Sequence, residues 1–200
     1  MSDEPDGAKL DGHHAMRLET GVALINALTG DHVHGRAKPS LAGHDLARAA
    51  AEALGDQAPG NGAVDLLAAQ RLRDLASRLR EIIEALSRSE HDSAAGLLNR
   101  MLADSRARPY LHRHDDRSWH LHFHSPEADL VQQWAAGLAV SVAAAFGEHI
   151  PHRVGLCAAP RCDEVYIDAS QAQIKRFCGL TCQNRVKAAA YRARVRRSGP

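Results

Sequence analysis

The chain has 200 residues, a formal net charge of +1 and an apolar fraction of 44%, values that are typical of a soluble globular protein. Aromatic residues make up only 4% of it, so we expect a core of Leu, Val, Ile and Ala. The most apolar stretch, Leu138 to Phe146, is too short to cross a bilayer and predicts a buried core helix. Because the N-terminal residues lack a basic and apolar leader, we expect a cytoplasmic protein with no membrane partner.

Charge is divided unevenly along the chain. From residue 151 onward ten Lys or Arg face three Asp or Glu, a net charge of +7, whereas the first 150 residues carry −6. A compact basic segment joined to an acidic one is typical of a nucleic-acid-binding module attached to another domain. We therefore expect two domains, residues 15–150 and 151–197, after a disordered polar tail over residues 1–14.

Apolar residues at helical spacing predict a helical bundle or layer in the first two thirds of the chain. Ser40 is predicted to cap the second helix at its N-terminus, and Gly55 to close it. The predicted helices run from Met16 to Leu28, from Leu41 to Leu54, from Val64 to Leu86 and from Ser93 to Leu102, and a fifth starts at Pro126.

Strict alternation interrupts this helical pattern before the fifth helix. Tyr110 to His114 and Trp119 to His124 alternate on both sides of a polar turn, which predicts a β-hairpin. His120, His122 and His124 share one of its faces, where neighbouring positions stand about 6 to 7 Å apart. These three histidines are a candidate metal or ligand site, and exposed polar strand positions are the alternative.

Four cysteines, the only ones in the chain, form two close pairs in its last quarter. The spacing C-x4-C, fifteen residues, then C-x3-C predicts one tetrahedral Zn²⁺ site. Such a site is structural, because protein ligands take all four positions. Two disulfides, which would require an oxidising compartment, or four buried thiols are the alternatives. The predicted zinc ligands are Cys157, Cys162, Cys178 and Cys182.

The segment around the cysteines predicts a treble-clef-like finger. The first pair forms a knuckle, Glu164–Ile167 and Gln173–Phe177 form a hairpin, and the second pair lies at the start of a last helix, whose positive dipole end favours thiolates. On that helix Ala188, Tyr191 and Val195 lie between two basic stripes as the expected packing surface. A solvated basic helix that only caps the finger is the alternative to DNA binding. The residues expected to contact DNA are Asn184, Arg185, Lys187, Arg192, Arg194, Arg196 and Arg197.

The sequence from Cys157-Ala-Ala-Pro-Arg-Cys162 to Cys182-Gln183-Asn184-Arg185 resembles the CGNR zinc finger. In that family the finger usually follows an N-terminal domain named ABATE, with a proposed role as a stress-induced transcription regulator. Trp119 to His124 followed by a helix resembles the end of that domain. The glycine of the motif is Gln183 here, which would cost about 1 kcal/mol if the position needed φ > 0. We expect Gln183 to be helical instead, where the change is harmless.

Residues and resemblance together predict an α+β protein: a mostly helical N-terminal domain with a small antiparallel sheet, and a C-terminal treble-clef-like zinc finger. The resemblance implies a regulator of transcription that binds double-stranded DNA and is not an enzyme. Its N-terminal domain would sense a small-molecule effector or mediate homodimerisation. A protein- or RNA-binding zinc module is the first alternative, and an enzyme that uses the hairpin histidines is the second.

Overall fold

The computed structural model describes residues 12–58, 64–113, 119–147, 154–170, 172 and 174–197, save for the side chains of residues 12–15 and of His120. Helices dominate this part of the chain, and its strands form three separate antiparallel hairpins. The helices are α1 (Gly12–Leu28), α2 (Gly43–Leu54), α3 (Leu66–Ser87), α4 (His91–Ser105), α5 (Leu130–Gly147) and α6 (Leu180–Arg197).

Each hairpin pairs two short strands that are close in sequence. The α+β prediction of a mostly helical chain with small antiparallel sheets is confirmed. Of the predicted disordered tail, residues 12–14 belong to α1, and residues 1–11 lie outside the described part. The strand pairs are β1 (His32–Val33) with β2 (Arg36–Ala37), β3 (Tyr110–His112) with β4 (His120–His122), and β5 (Val154–Leu156) with β6 (Val165–Ile167).

Two helix starts differ from the prediction. The expected cap at Ser40 is wrong, because α2 begins at Gly43 after an extended Ala42, although Gly55 closes the helix as expected with φ +56°. The expected start of α5 at Pro126 is also wrong. Asp129 and Gln132 cap each other reciprocally there, each side chain accepting the other residue's backbone N–H at 2.9 Å, which places the first helical residue at Leu130.

The core is built around α3, which packs against α1, α2 and α4, while α5 packs against α1 and α4. Leu72, Leu79 and Ile82 of α3 are almost fully buried in it. Val165 of β6 belongs to the same core, and β5 packs against α3. The β5–β6 hairpin of the C-terminal part is therefore a layer of the main core rather than an appendage.

Helix α5 is the most apolar helix of the described chain. It has 18 residues and a mean hydropathy of 1.4, so by length and composition alone it is long enough to cross a membrane, and the expectation that this stretch is too short is wrong. The expectation of a core helix is confirmed, because Trp134, Leu138 and Ala139 are buried against neighbouring helices.

The β1–β2 hairpin was not expected, since this segment reads as a polar loop. His34 and Gly35 form its two-residue turn with φ of +50° and +88°, the left-handed pair that favours tight hairpins. The turn lies on the C-terminal part of the chain, because the N–H of Gly35 donates to the carbonyl of Arg161 at 2.8 Å. The glycine was the one available signal for this turn.

The hairpin expected within the finger pairs differently. Residues Val165–Ile167 pair with Val154–Leu156, so the predicted pairing of Glu164–Ile167 with Gln173–Phe177 is wrong. Asp168 explains the difference, because its carboxylate accepts the N–H groups of Ser170 and Lys175 and folds that segment into a turn. Gln173 lies outside the described residues.

Candidate metal centre and basic helix

The four cysteine sulfurs converge on one point. All four Sγ atoms lie within 4.8 Å of one another, with Cys162 to Cys178 at 3.8 Å and Cys178 to Cys182 at 3.7 Å. A tetrahedral ion bound to sulfur at about 2.3 Å places its ligands about 3.8 Å apart, whereas a disulfide would hold them at about 2.05 Å. The four thiols are free, so they fit zinc and the disulfide alternative is wrong.

Short backbone contacts shape the two cysteine loops. The N–H of Cys157 donates to the carbonyl of Glu164, and that of Ala158 to the carbonyl of Arg176, both at 2.9 Å. Arg161 turns the first loop with φ +54°. These contacts bring the knuckle of the first pair against the start of α6, where the second pair lies.

Helix α6 begins two residues before Cys182, and Gln183 is already helical. The N–H of Gln183 donates to the carbonyl of Gly179, and its φ is not positive. The expectation that Gln183 is helical is therefore confirmed.

Burial and close spacing shift the pKa values of thiols in this cluster. Burial favours the neutral form of Cys162, but the backbone N–H groups of Glu164 and His34 favour the thiolate, and the net effect lowers its pKa. Burial and the neighbouring sulfurs raise the pKa of Cys178, and raise that of Cys182 to about 11. A divalent cation must therefore displace protons to hold all four as thiolates, and its binding weakens as pH falls.

The two halves of α6 differ in exposure. Cys182 is buried, and Val186 packs against the cysteine cluster. Every residue of the helix beyond Val186 is exposed. The expected packing surface of Ala188, Tyr191 and Val195 is therefore wrong, because all three residues are exposed. The predicted DNA contacts that are exposed are Asn184, Lys187, Arg192, Arg194, Arg196 and Arg197.

Arg185 differs from the other predicted DNA contacts because it is half-buried. Its Nη2 donates to the carbonyl of Pro160 at 2.8 Å, and its Nη1 to the Sγ of Cys182 at 3.5 Å. The guanidinium thus spans both cysteine loops.

The histidine hairpin is confirmed, but its histidines do not form a described metal cluster. Tyr110 pairs with His122 and His112 with His120, and the Nδ1 of His122 lies 3.0 Å from the Nε2 of His124. Among the described residues the cysteines are the one group of three or more potential ligands that converges. The side chain of His120 and all of His114 lie outside that part.

Comparison with protein families follows the same division of the chain. Residues 18–149 match the ABATE family, described as "Putative stress-induced transcription regulator", and residues 153–195 match the CGNR zinc finger. The chain belongs to the ABATE family. Its C-terminal part is a CGNR zinc finger whose cysteines form one structural Zn²⁺ site. Both families are regulator and zinc-finger types rather than enzyme families. No curated protein matches the chain.

The ABATE domain and the CGNR finger are joined by polar contacts that the sequence analysis missed. The side chain of Asn26 bonds both backbone groups of Val165, at 2.8 and 2.9 Å. The carboxylate of Asp163 accepts the N–H groups of Asp31 and His32, at 2.8 and 2.7 Å. Burial alone would raise the pKa of Asp163, but these two N–H groups help to lower it below its ordinary value. Two further contacts complete the join: Arg80 Nη2 to the Asp163 carbonyl at 2.7 Å and Lys38 Nζ to Glu164 Oε1 at 2.9 Å.

Proposed function

We propose that this ABATE protein is a transcription regulator that binds double-stranded DNA through the exposed part of α6, residues 187–197. The observation that carries the proposal is a helix with no acidic residue whose basic side chains are exposed beyond Val186. Phosphate contacts from Lys and Arg supply most of the affinity of such a surface. The zinc site supports the proposal by fixing the base of this helix.

The outward face of α6 suggests which residues meet the bases. At about 100° per residue, Tyr191 lies on the side of the helix opposite Cys182, with Asn184 and Lys187 near the same line. We propose that these three face the groove, where polar side chains read base edges. The arginines of residues 187–197 are assigned to the phosphates, which position the helix. They are Arg192, Arg194, Arg196 and Arg197.

The ABATE domain offers a candidate effector site. An open cleft of about 970 Å³ lies between the end of α1, the β1–β2 hairpin and α2. That size suits a small molecule. Asn26, His32 and Lys38 line it and also hold the finger, so a bound effector would act on the join. One α6 offers few contacts, so we further propose that two copies bind one DNA site.

Fluorescence anisotropy with a labelled duplex of mixed sequence tests the DNA assignment. The zinc-loaded chain should bind the duplex at about 50 mM salt and lose most affinity by about 200 mM. No binding to the duplex at low salt would contradict the proposal.

The same titration separates the alternative of an RNA-binding module. Tighter binding to single-stranded or duplex RNA of the same length would select that alternative, since the basic helix attracts either polyanion. Binding to neither nucleic acid would favour a protein partner, for which exposed Leu180, Tyr191 and Val195 are available.

A further inference from the structure

We propose that Arg185 is a positioning residue that clamps the β1–β2 turn of the ABATE domain onto the zinc loops. Through this clamp, metal retention depends on residues that are not ligands. This role concerns the metal site and holds whether or not α6 binds DNA.

The first half of the clamp joins the two cysteine loops. Arg185 lies three residues after Cys182, on the side of α6 that faces the first loop. Its guanidinium donates to the carbonyl of Pro160 in that loop and to the sulfur of Cys182 in α6. Because a guanidinium carries five donors in one rigid plane, one side chain can serve both loops at once.

The second half of the clamp is the turn that covers this plane. A Cβ added at Gly35 would lie 2.7 Å from Cζ and 2.9 Å from Nε of Arg185, so the turn backbone rests directly on the guanidinium. Only a glycine allows that approach, and its φ of +88° favours glycine as well.

The docked turn reaches the metal site itself. The N–H of Gly35 donates to the carbonyl of Arg161, the residue before Cys162, and the backbone N–H of His34 helps to lower the pKa of the Cys162 thiol. Hydrogen bonds to coordinating groups hold them in place and typically change metal affinity by about 10- to 100-fold. The ABATE domain therefore supplies part of the environment of the zinc ligands, and Arg185 is the side chain on which that part rests.

Zinc retention in the full-length chain tests the clamp. Zinc-loaded protein is titrated with a competing chelator, and Arg185→Ala and Gly35→Ala are each expected to lose zinc at about 10-fold lower chelator concentration. Arg100→Ala, which removes an exposed arginine from α4, should match the wild type. Wild-type retention in both clamp variants would overturn the proposal.

Coupling between the two positions gives the sharper result. The backbone strain of Gly35→Ala is the same with or without Arg185, but its clash disappears once the guanidinium is gone. The double variant should therefore retain zinc better than the product of the two single effects predicts. Effects that simply multiply would overturn the clamp. If Arg185→Ala cannot be purified, Arg185→Met, which keeps a long side chain but has no donor, replaces it, with the same expected loss and the same contradicting outcome.

Cobalt substitution separates this role from general destabilisation. With Co²⁺ in the site, the thiolate-to-metal absorption band should shift in Gly35→Ala, because the turn that lies against the loop of Cys162 is displaced. Leu98→Ala removes a buried side chain far from the metal and should lower the melting temperature without moving the band or the chelator midpoint. An unshifted band in Gly35→Ala, or a shifted one in Leu98→Ala, would contradict the proposal.

Discussion

The two halves of α6 have opposite surroundings. The first turns carry Cys182, Arg185 and Val186 and are held by the cysteine cluster, the carbonyl of Pro160 and the β1–β2 turn. In the remaining turns every residue from Lys187 to Arg197 is exposed. The difference shows that the finger stabilises only the base of the helix, which leaves the basic tip for a partner.

Removal of a zinc ligand should disrupt the first turns of α6 and give the largest loss of stability. Structural zinc contributes about 10 kcal/mol or more to the folding of isolated fingers at neutral pH, and Val165 ties this finger to the main core. We expect Cys182→Ser to lose its zinc on dialysis against a chelator and to melt at a much lower temperature. Metal analysis and circular dichroism measure both, with Thr181→Ser as the neighbouring control. A variant that keeps one zinc per chain would refute the four-ligand site.

Loss of a contact between the finger and the ABATE domain should give the next largest loss of stability. Asn26→Ala leaves the N–H and the carbonyl of Val165 without their side-chain partner, at a cost of about 2 to 4 kcal/mol. Asn99→Ala on the exposed side of α4 is the matched control and should change stability by less than about 0.5 kcal/mol. Urea unfolding measures both. Equal stabilities of the two variants would mean that the finger is an independent module.

One substitution made in both halves of α6 should give the smallest and most direct contrast. Val186→Ala removes two methyl groups that pack on the cysteine cluster and should cost about 1 kcal/mol. Val195, which is 52% exposed, should tolerate the same change within about 0.5 kcal/mol, because nothing packs on it and alanine favours a helix. Equal losses on thermal melting would show that the tip of α6 is packed after all.

The sequence predicts the zinc site well for a physical reason. Cysteines are rare, and two short loops bring four of them together whatever the rest of the chain does. The helices are predictable because apolar spacing persists over several turns, although their first residues depend on caps such as Asp65, whose carboxylate accepts the N–H of Ala68. Ser40 and Pro126 carry the same local signals without forming the cap.

Contacts between distant segments escape this kind of prediction. Asn26 and Val165 are 139 residues apart, and Asp31 and Asp163 are 132 apart, so no local pattern links them. The partner of β6 escapes prediction for a different reason, since strand-forming residues lie on both sides of it. Helical spacing placed Tyr191 on one face of α6 but could not show whether another element covers that face.

The salt dependence of DNA binding tests the central claim most directly, because it counts the phosphate contacts made by the exposed tip. Arg192→Ala with Arg196→Ala should reduce the slope of log affinity against log salt by about 1.8, since each contact contributes about 0.9. Arg48→Ala with Arg100→Ala removes the same charge from α2 and α4 and should leave the slope unchanged. Equal slopes for the two double variants, or a wild-type slope near zero, would contradict the account.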